Sequence, residues 1–284
     1  MRWAAMIGTT IVPRRREDIG ENDGSMRTLH ATRYVTPLRE GGSLPAIVEA
    51  DDDGLYVLKF RGAGQGPKAL IAELLAGEIG RALGLPVPEI VFMELDAELA
   101  RTEPDPEIQE LIRASGGLNL ALDYLPGSVT FDPLSDRPDA DLASRIVWFD
   151  GFVTNLDRTP RNANLLMWHR RLWLIDHGAS LYFQHQWGDP LQMAAKPFAL
   201  IKDHVLLPFA ARLSDVDAQA PALLTTATLE AIVDTIPDTW LHHDSPFPDP
   251  AAHRRAFVQY FQRRLAAPRA FAEEALRAHA AAHV

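Results

Sequence analysis

The stretch WFDGFVTNLDRTPRNANLLMWHRRLWLIDHGAS, residues 148–180, decides the fold predicted for this chain. An apolar, helix-like run leads into a polar loop over residues 155–164. Two short apolar segments follow, at 165–168 and 172–175, and His169-Arg170-Arg171 between them is typical of a hairpin turn. The loop and the end of the predicted hairpin therefore each place polar side chains beside buried strands.

Three of these polar side chains have a chemical interpretation. Asp157 is followed five residues later by Asn162, and Asp176 stands directly after the second strand in an Asp-x-Gly sequence. Phosphoryl transfer needs a carboxylate that orients the attacking hydroxyl and oxygen ligands that hold magnesium. Asp157 is the candidate for the first task, and Asn162 and Asp176 for the second. This order is that of the catalytic and metal-binding loops of kinases, although turn-forming residues could also make a plain solvated loop here.

Whole-chain composition limits the alternatives. The 284 residues suffice for two lobes, and the absence of cysteine excludes disulfides and thiolate sites. A net charge of −10 argues against general nucleic-acid binding. No apolar run is long enough to span a membrane, and the amino terminus lacks the pattern of a signal peptide, so we expect a cytoplasmic protein. Residues 1–25 are predicted to be a disordered leader, with organised sequence from about Met26.

The amino-terminal third predicts a small β-rich unit. Strands are expected at 32–35, 46–50 and 55–60, with an Asp-Gly turn between the last two. Lys59 interrupts the apolar pattern near the end of the third strand. It is either a solvated strand residue or a cation for the α and β phosphates of a nucleotide. The flexible loop Gly41-Gly42-Ser43 could supply backbone N–H groups to the same phosphates.

A helix is predicted over 67–83, with Pro67 in its first turn and Gly84 at its end. It carries two acids, and in kinases a helix glutamate orients the strand lysine. We favour Glu73 over Glu78 for this role, because Glu73 lies among apolar neighbours. A favourable charge near the helix start is the competing interpretation.

A strand over 118–125 ends at Pro126-Gly127, which suits a connector between two lobes. In a kinase-like fold its backbone, at Asp123 to Leu125, would contact the adenine edge. The predicted organisation is therefore an amino-terminal lobe over 26–125, which binds the nucleotide, and a carboxy-terminal lobe over 126–284.

The chain resembles the HipA-like kinases, a divergent branch of the protein-kinase-like fold. The resemblance rests on RALGLPVPE, TNLDRTPRNANLL and LIDHG, at residues 81–89, 154–166 and 174–178. It implies an α+β, two-lobed protein-kinase-like fold. The small β-rich lobe would carry one main helix, and the second lobe would be mostly helical.

The same resemblance implies an ATP- and Mg²⁺-dependent kinase acting on a serine or threonine hydroxyl of a protein. Lys59 would bind phosphates, Glu73 would orient Lys59, Asp157 would be the base, and Arg158 would neutralise charge on the transferring phosphoryl group. Asn162 and Asp176 would hold magnesium, with Asn164 as a competing amide. A small-molecule acceptor and a regulatory protein partner stay open.

Two other functions compete. A pseudokinase or interaction protein would keep the fold without catalysis, but such a site tends to lose one of its polar residues, and here all are filled. A metal-dependent hydrolase could use His242-His243-Asp244, although His204 and His253 have unconvincing spacing for additional ligands.

Overall fold

The computed structural model describes residues 26–38, 44–242 and 244–282. The predicted leader, residues 1–25, and the loop Gly41-Gly42-Ser43 lie outside the described residues. Within them, no helix is both long and apolar enough to cross a membrane.

The amino-terminal part is a closed five-stranded barrel in the spatial order β1-β2-β3-β5-β4. Its neighbouring strands pair antiparallel, except for a short parallel pairing between β1 and β4 that closes the barrel. Closure leaves no unpaired edge along most of the sheet. The strands are β1 (Thr28–Pro37), β2 (Ala46–Ala50), β3 (Leu55–Lys59), β4 (Ile90–Leu95) and β5 (Gly117–Asp123).

Helix α1 (Pro67–Ala82) lies against one face of this barrel, and α2 (Pro106–Ala114) covers another part of it. Pro67 occupies the first turn of α1, and Gly84, at φ 69°, follows the helix end. Inside α1, a side chain at Gly77 would collide with Cδ1 of Ile90, so glycine lets the helix approach β4 closely. This approach brings the buried face of α1 to the end of β3, where Lys59 lies.

The segment after the barrel forms the scaffold of the polar loop. Helix α3 (Ala140–Val153) begins at Asp139, whose carboxylate accepts the N–H groups of Asp141 and Leu142. It ends at Thr154, in the left-handed region at φ 54°. The strands β6 (Val129–Thr130), β7 (Leu165–Trp168) and β8 (Arg171–Leu174) form a second sheet in that order.

The remainder is helical, and its aromatic side chains build the larger core around α3. Trp148 and Phe152 of α3 pack with Phe261 and Phe271 from the last two helices. The same core continues to α1, so α1 and α3 share one apolar interior. The helices are α4 (Pro190–Ala194), α5 (Leu213–Gln219), α6 (Thr226–Asp234), α7 (Asp238–Leu241), α8 (Pro250–Leu265) and α9 (Ala270–Ala281).

Candidate active site

Three residues that are far apart in the sequence lie close together in the folded chain. Lys59 ends β3, Glu73 lies on α1, and Asp176 follows β8. The Nζ atom of Lys59 is 2.6 Å from Oδ1 of Asp176 and 3.6 Å from Oε2 of Glu73. The structure therefore brings together the predicted lysine, helix glutamate and metal-loop aspartate.

The electrostatics of these three residues are strongly coupled. Burial alone would lower the pKa of Lys59, but the charges of Asp176 and Glu73 outweigh it and raise that pKa. Burial would likewise raise the pKa of Glu73, yet Lys59 and His177 lower it to about 2. Both groups are therefore held in their charged forms, while the side chain of Asp176 stays 41% exposed.

Glu78, the alternative to Glu73, has a different partner. Its Oε1 lies 3.3 Å from Nε of Arg81, one turn further along α1. Burial raises the pKa of the Glu78 carboxyl. Of the two helix acids, Glu73 is the one beside Lys59.

Asp157 lies in the loop after α3, where three amide groups position it. Its Oδ2 accepts from Nδ2 of Asn162 at 2.7 Å and from Nδ2 of Asn164 at 3.3 Å. Its own N–H donates to Oδ1 of Asn155 at 3.1 Å. Burial raises the pKa of Asp157, the amide hydrogen bonds oppose that rise, and the charge of Asp176 adds to it.

The two candidate amides differ in exposure. Asn162 is exposed and closes a tight turn by exchanging backbone hydrogen bonds with Thr159. Asn164 is buried, and its carbonyl accepts the N–H of Ile175, the residue before Asp176. Because both amide nitrogens face Asp157, each side chain keeps its Oδ1 for another partner. Magnesium prefers carboxylate and amide oxygens as ligands. The exposed carboxylate of Asp176 and the amide oxygen of Asn162 or Asn164 are of this kind, so these residues fit that ion.

The prediction that Arg158 contacts a transferring phosphoryl group is wrong. Its side chain is fully buried, and its Nε lies 2.5 Å from Oδ2 of Asp150 in α3. Its Nη1 donates to the carbonyls of Asn164, at 2.5 Å, and Ile175, at 3.4 Å. The guanidinium instead connects the loop of Asp157 to the backbone that precedes Asp176.

Asp150 is the centre of this buried network, which the sequence reasoning missed. Its carboxylate accepts from Arg158, from Nδ2 of Asn155 at 2.9 Å and from Nε2 of His204 at 2.8 Å. Because Nδ1 of His204 accepts the N–H of Leu206 at 3.0 Å, the ring proton is on Nε2. An aspartate inside the apolar run of α3 was the available signal, since a buried carboxylate needs such partners.

The electrostatics of the network keep Asp150 charged and His204 neutral. Burial opposes ionisation of Asp150, but Arg158 and His204 lower its pKa below the ordinary value. Burial also lowers the pKa of His204, although Asp150 partly opposes this. Arg158 supplies the positive charge that balances Asp150, and both charged side chains are buried.

Part of the connector strand is hydrogen-bonded to the barrel and its flanking residues. The N–H of Asp123 donates to the carbonyl of Glu89 at 2.9 Å, and the N–H of Tyr124 donates to that of Leu55 at 3.0 Å. Leu125 is buried, and its carbonyl accepts the N–H of Ser128. Burial, with the nearby charge of Glu89, raises the pKa of Asp123 to about 6.

The structure gives no support to the histidine metal site. His243 lies outside the described residues, His204 is bonded to Asp150, and Nδ1 of His253 is 3.2 Å from Oγ of Ser245. Across the described ranges, no group of three or more His, Cys, Asp or Glu side chains is arranged to hold a metal ion.

Comparison with known proteins identifies the family. The model of the HipA-like kinase family matches residues 32–271, most of the chain. The chain belongs to the HipA-like kinase family. This match spans the Lys59 cluster, the Asp157 loop and the helices that support both, and it confirms the resemblance seen in the sequence.

Two kinases are among the solved structures that match, both at low sequence identity. The proinflammatory kinase CtkA of Helicobacter pylori has a TM-score of 0.50 and 13% identity, over 90% of this chain and 99% of that one. The Golgi casein kinase with Mn/ADP bound has a TM-score of 0.42 and 10% identity, over 84% of this chain and 72% of that one. No curated protein matches the sequence significantly. The family match indicates a kinase-type phosphotransferase. The described residues form a β-rich amino-terminal region in a mixed α/β structure.

Proposed function

We propose that this HipA-like kinase transfers the γ-phosphate of ATP to a serine or threonine hydroxyl of a protein. The observation that carries the proposal is the contact of Lys59 with Asp176 and Glu73. Lys59 comes from the barrel, Asp176 from the predicted metal-binding loop and Glu73 from α1. Phosphoryl transfer requires a lysine, a helix glutamate and a metal-binding aspartate close together.

Lys59 supplies the positive charge for the α and β phosphates, and Glu73 limits its direction. Because both are kept charged, this pair is available over the whole physiological pH range. Asp123 to Leu125 would border the adenine. The N–H groups of Asp123 and Tyr124 are already used, so the ligand contact falls to the Asp123 carbonyl or the Leu125 N–H. Gly41, Gly42 and Ser43 stay predicted phosphate-loop residues.

Asp176 and the amide oxygen of Asn162 would hold magnesium, with Asn164 as the alternative amide. The bound ion would supply positive charge to the phosphate oxygens. Asn162 is the better candidate of the two amides, because it is exposed beside Asp157.

Asp157 would accept the proton of the attacking hydroxyl. Its amide partners fix the carboxylate on one oxygen, Oδ2, and leave Oδ1 as the oxygen for the substrate. Its raised pKa brings it closer to the range in which a general base is efficient.

The test is ADP release from magnesium-ATP, with and without dephosphorylated casein as a hydroxyl-bearing acceptor. We expect wild type to release ADP and Asp157→Asn to lose about 10²- to 10⁴-fold of that rate, the usual contribution of a general base. Calorimetric titration with magnesium-ADP is the control, and Asp157→Asn should bind the nucleotide like wild type.

The outcomes separate the competing functions. Nucleotide binding by wild type without ADP release, also with the acceptor, would favour the pseudokinase. Wild type that binds no magnesium nucleotide would overturn the proposal.

A further inference from the structure

His177 occupies the position between Asp176 and Gly178 in the metal-binding loop, and its side chain is completely buried. Its Nδ1 lies 3.3 Å from Oε1 of Glu73 on α1. We propose that His177 is a positioning residue that joins the metal-binding loop to α1 by holding Glu73. The inference rests on the proposed function, because it concerns how the phosphate-binding lysine is aligned.

The direction of this hydrogen bond follows from its acceptor. Glu73 is ionised, and a carboxylate can only accept, so Nδ1–H of His177 donates. Glu73 is itself 1% exposed, and a buried carboxylate without partners would be strongly destabilising. Its two oxygens have separate partners: Lys59 is nearest Oε2 and His177 is nearest Oε1.

The distances show why Glu73 depends on the second partner. The ammonium of Lys59 is 1.0 Å closer to Asp176, at 2.6 Å, than to Glu73, at 3.6 Å. Lys59 alone therefore holds Glu73 weakly. The bond from His177 keeps the carboxylate turned toward Lys59, so the lysine stays between Asp176 and Glu73.

His177 can do this because it is itself fixed. Its ring packs edge-on against Phe149 of α3, with ring centres 5.8 Å apart and an interplanar angle of 74°. Its carbonyl accepts the N–H of Ser180 at 2.9 Å. Next to it, Asp176 has a left-handed backbone at φ 56°. A shift of His177 would therefore move Asp176 as well as Glu73.

Three substitutions separate the hydrogen bond from the packing. His177→Phe keeps a ring against Phe149 and removes the donor. His177→Asn places an amide nitrogen where Nδ1 was, whereas His177→Gln places it one bond further, near the position of Nε2. The last two form a matched amide pair, which also serves if His177→Phe does not fold.

The experiment measures kcat and KM for magnesium-ATP in the ADP-release assay, with melting temperature as the folding control. We expect His177→Phe and His177→Gln to lower kcat about 10- to 100-fold, as small misplacements of reacting groups do. KM should change less than about threefold, and His177→Asn should recover most of kcat. In a Glu73→Gln background, His177→Phe or His177→Gln should cause little further loss, because His177 acts through Glu73.

Contrary results are distinct from failure of the proposed function. An active wild type whose His177→Phe or His177→Gln variant keeps full kcat would overturn this inference alone. The inference would also be overturned if His177→Phe lowered kcat as much in the Glu73→Gln background as in wild type. It would be overturned as well if His177→Asn were as impaired in kcat as His177→Gln. A folded wild type without ADP release would overturn the proposed function and this inference together.

Discussion

Two ion clusters lie near Asp157, and they differ in their access to solvent. The closed cluster, Asp150, Arg158 and His204, has side chains that are 0% to 3% exposed. In the open cluster, Lys59, Glu73 and Asp176, the aspartate is 41% exposed. A carboxylate whose oxygens all have fixed buried partners holds a structure together, whereas an exposed carboxylate beside a lysine can exchange partners for a ligand.

The closed cluster also sets the geometry of the open one. Arg158 follows Asp157 directly, and its guanidinium donates to the carbonyl of Ile175, next to Asp176. Asn155 donates to Asp150 and accepts the N–H of Asp157. The backbone at Asp157 and the backbone just before Asp176 are therefore both held by residues of the buried network.

The largest expected effect is a difference in the free energy of unfolding between variants of the closed and the open cluster. Arg158→Ala should lower the free energy of unfolding by about 3–5 kcal/mol, because it leaves Asp150 buried without its cation. Asp176→Ala should change it by less than about 1 kcal/mol, since that side chain is partly solvated. Urea denaturation of both variants measures the difference. Equal losses would mean that both clusters are structural.

As pH falls, the closed cluster should begin to lose stability at a higher pH than the open cluster, because only the closed cluster contains a histidine with a lowered pKa. The folded pKa of Glu73, about 2, lies below its ordinary 4.5, so its stabilisation is complete above pH 4.5 and is lost as pH falls toward 2. That shift corresponds to on the order of 3 kcal/mol. The pKa of His204 is also lowered, because burial favours its neutral form. Below about pH 6.5 the unfolded state therefore binds more protons than the folded state, and the protein loses stability as pH falls.

Unfolding free energies between pH 2 and 8 check these ranges. Glu73→Gln should flatten the curve below pH 4.5, and His204→Gln should flatten it from pH 6.5 downward. If both variants altered the same pH range, the assignment of separate electrostatic roles would be wrong.

The two arginines of the Asp157 loop sharpen the comparison further. Arg161 is exposed, whereas Arg158 is buried. Arg161→Ala should leave the melting temperature close to that of wild type, because its side chain is exposed, whereas Arg158→Ala should lower it by several degrees. Equal losses of melting temperature in the two variants would contradict this difference between the arginines.

The smallest expected effect concerns the second acid of α1. Glu78→Gln should change stability by less than about 1 kcal/mol and leave the affinity for magnesium-ADP unchanged, because Glu78 pairs with Arg81. Glu73→Gln is the matched variant and should weaken that affinity. Equal affinities of the two variants would contradict the assignment of Glu73 to the open cluster.

Local sequence patterns were sufficient for most elements near the site. The strand predicted at 46–50 matches β2, and Pro67 and Gly84 mark the ends of α1 because their backbone preferences act locally. The strand predicted at 32–35 is longer, since β1 runs from Thr28 to Pro37. Its first residues pair with β4, a distant partner that no local pattern reveals.

The direction of side chains in the Asp157 loop was not predictable in the same way. A turn-forming sequence indicates a loop, but it does not show which of Arg158 and Arg161 turns inward. That choice depends on Asp150, eight residues earlier and on another element. Similarly, the sequence shows a histidine between Asp176 and Gly178, but the contact of His177 with Glu73 depends on how α1 packs.

The central claim is that the open cluster binds a magnesium nucleotide, and the melting temperature with and without magnesium-ATP tests it most directly. At about a hundred times the dissociation constant, the ligand should stabilise wild type by about 2.7 kcal/mol, a shift of several degrees. Asp176→Asn should abolish this shift while its melting temperature without ligand stays near that of wild type. No shift of the wild type at millimolar magnesium-ATP, or an equal shift of Asp176→Asn, would contradict the account.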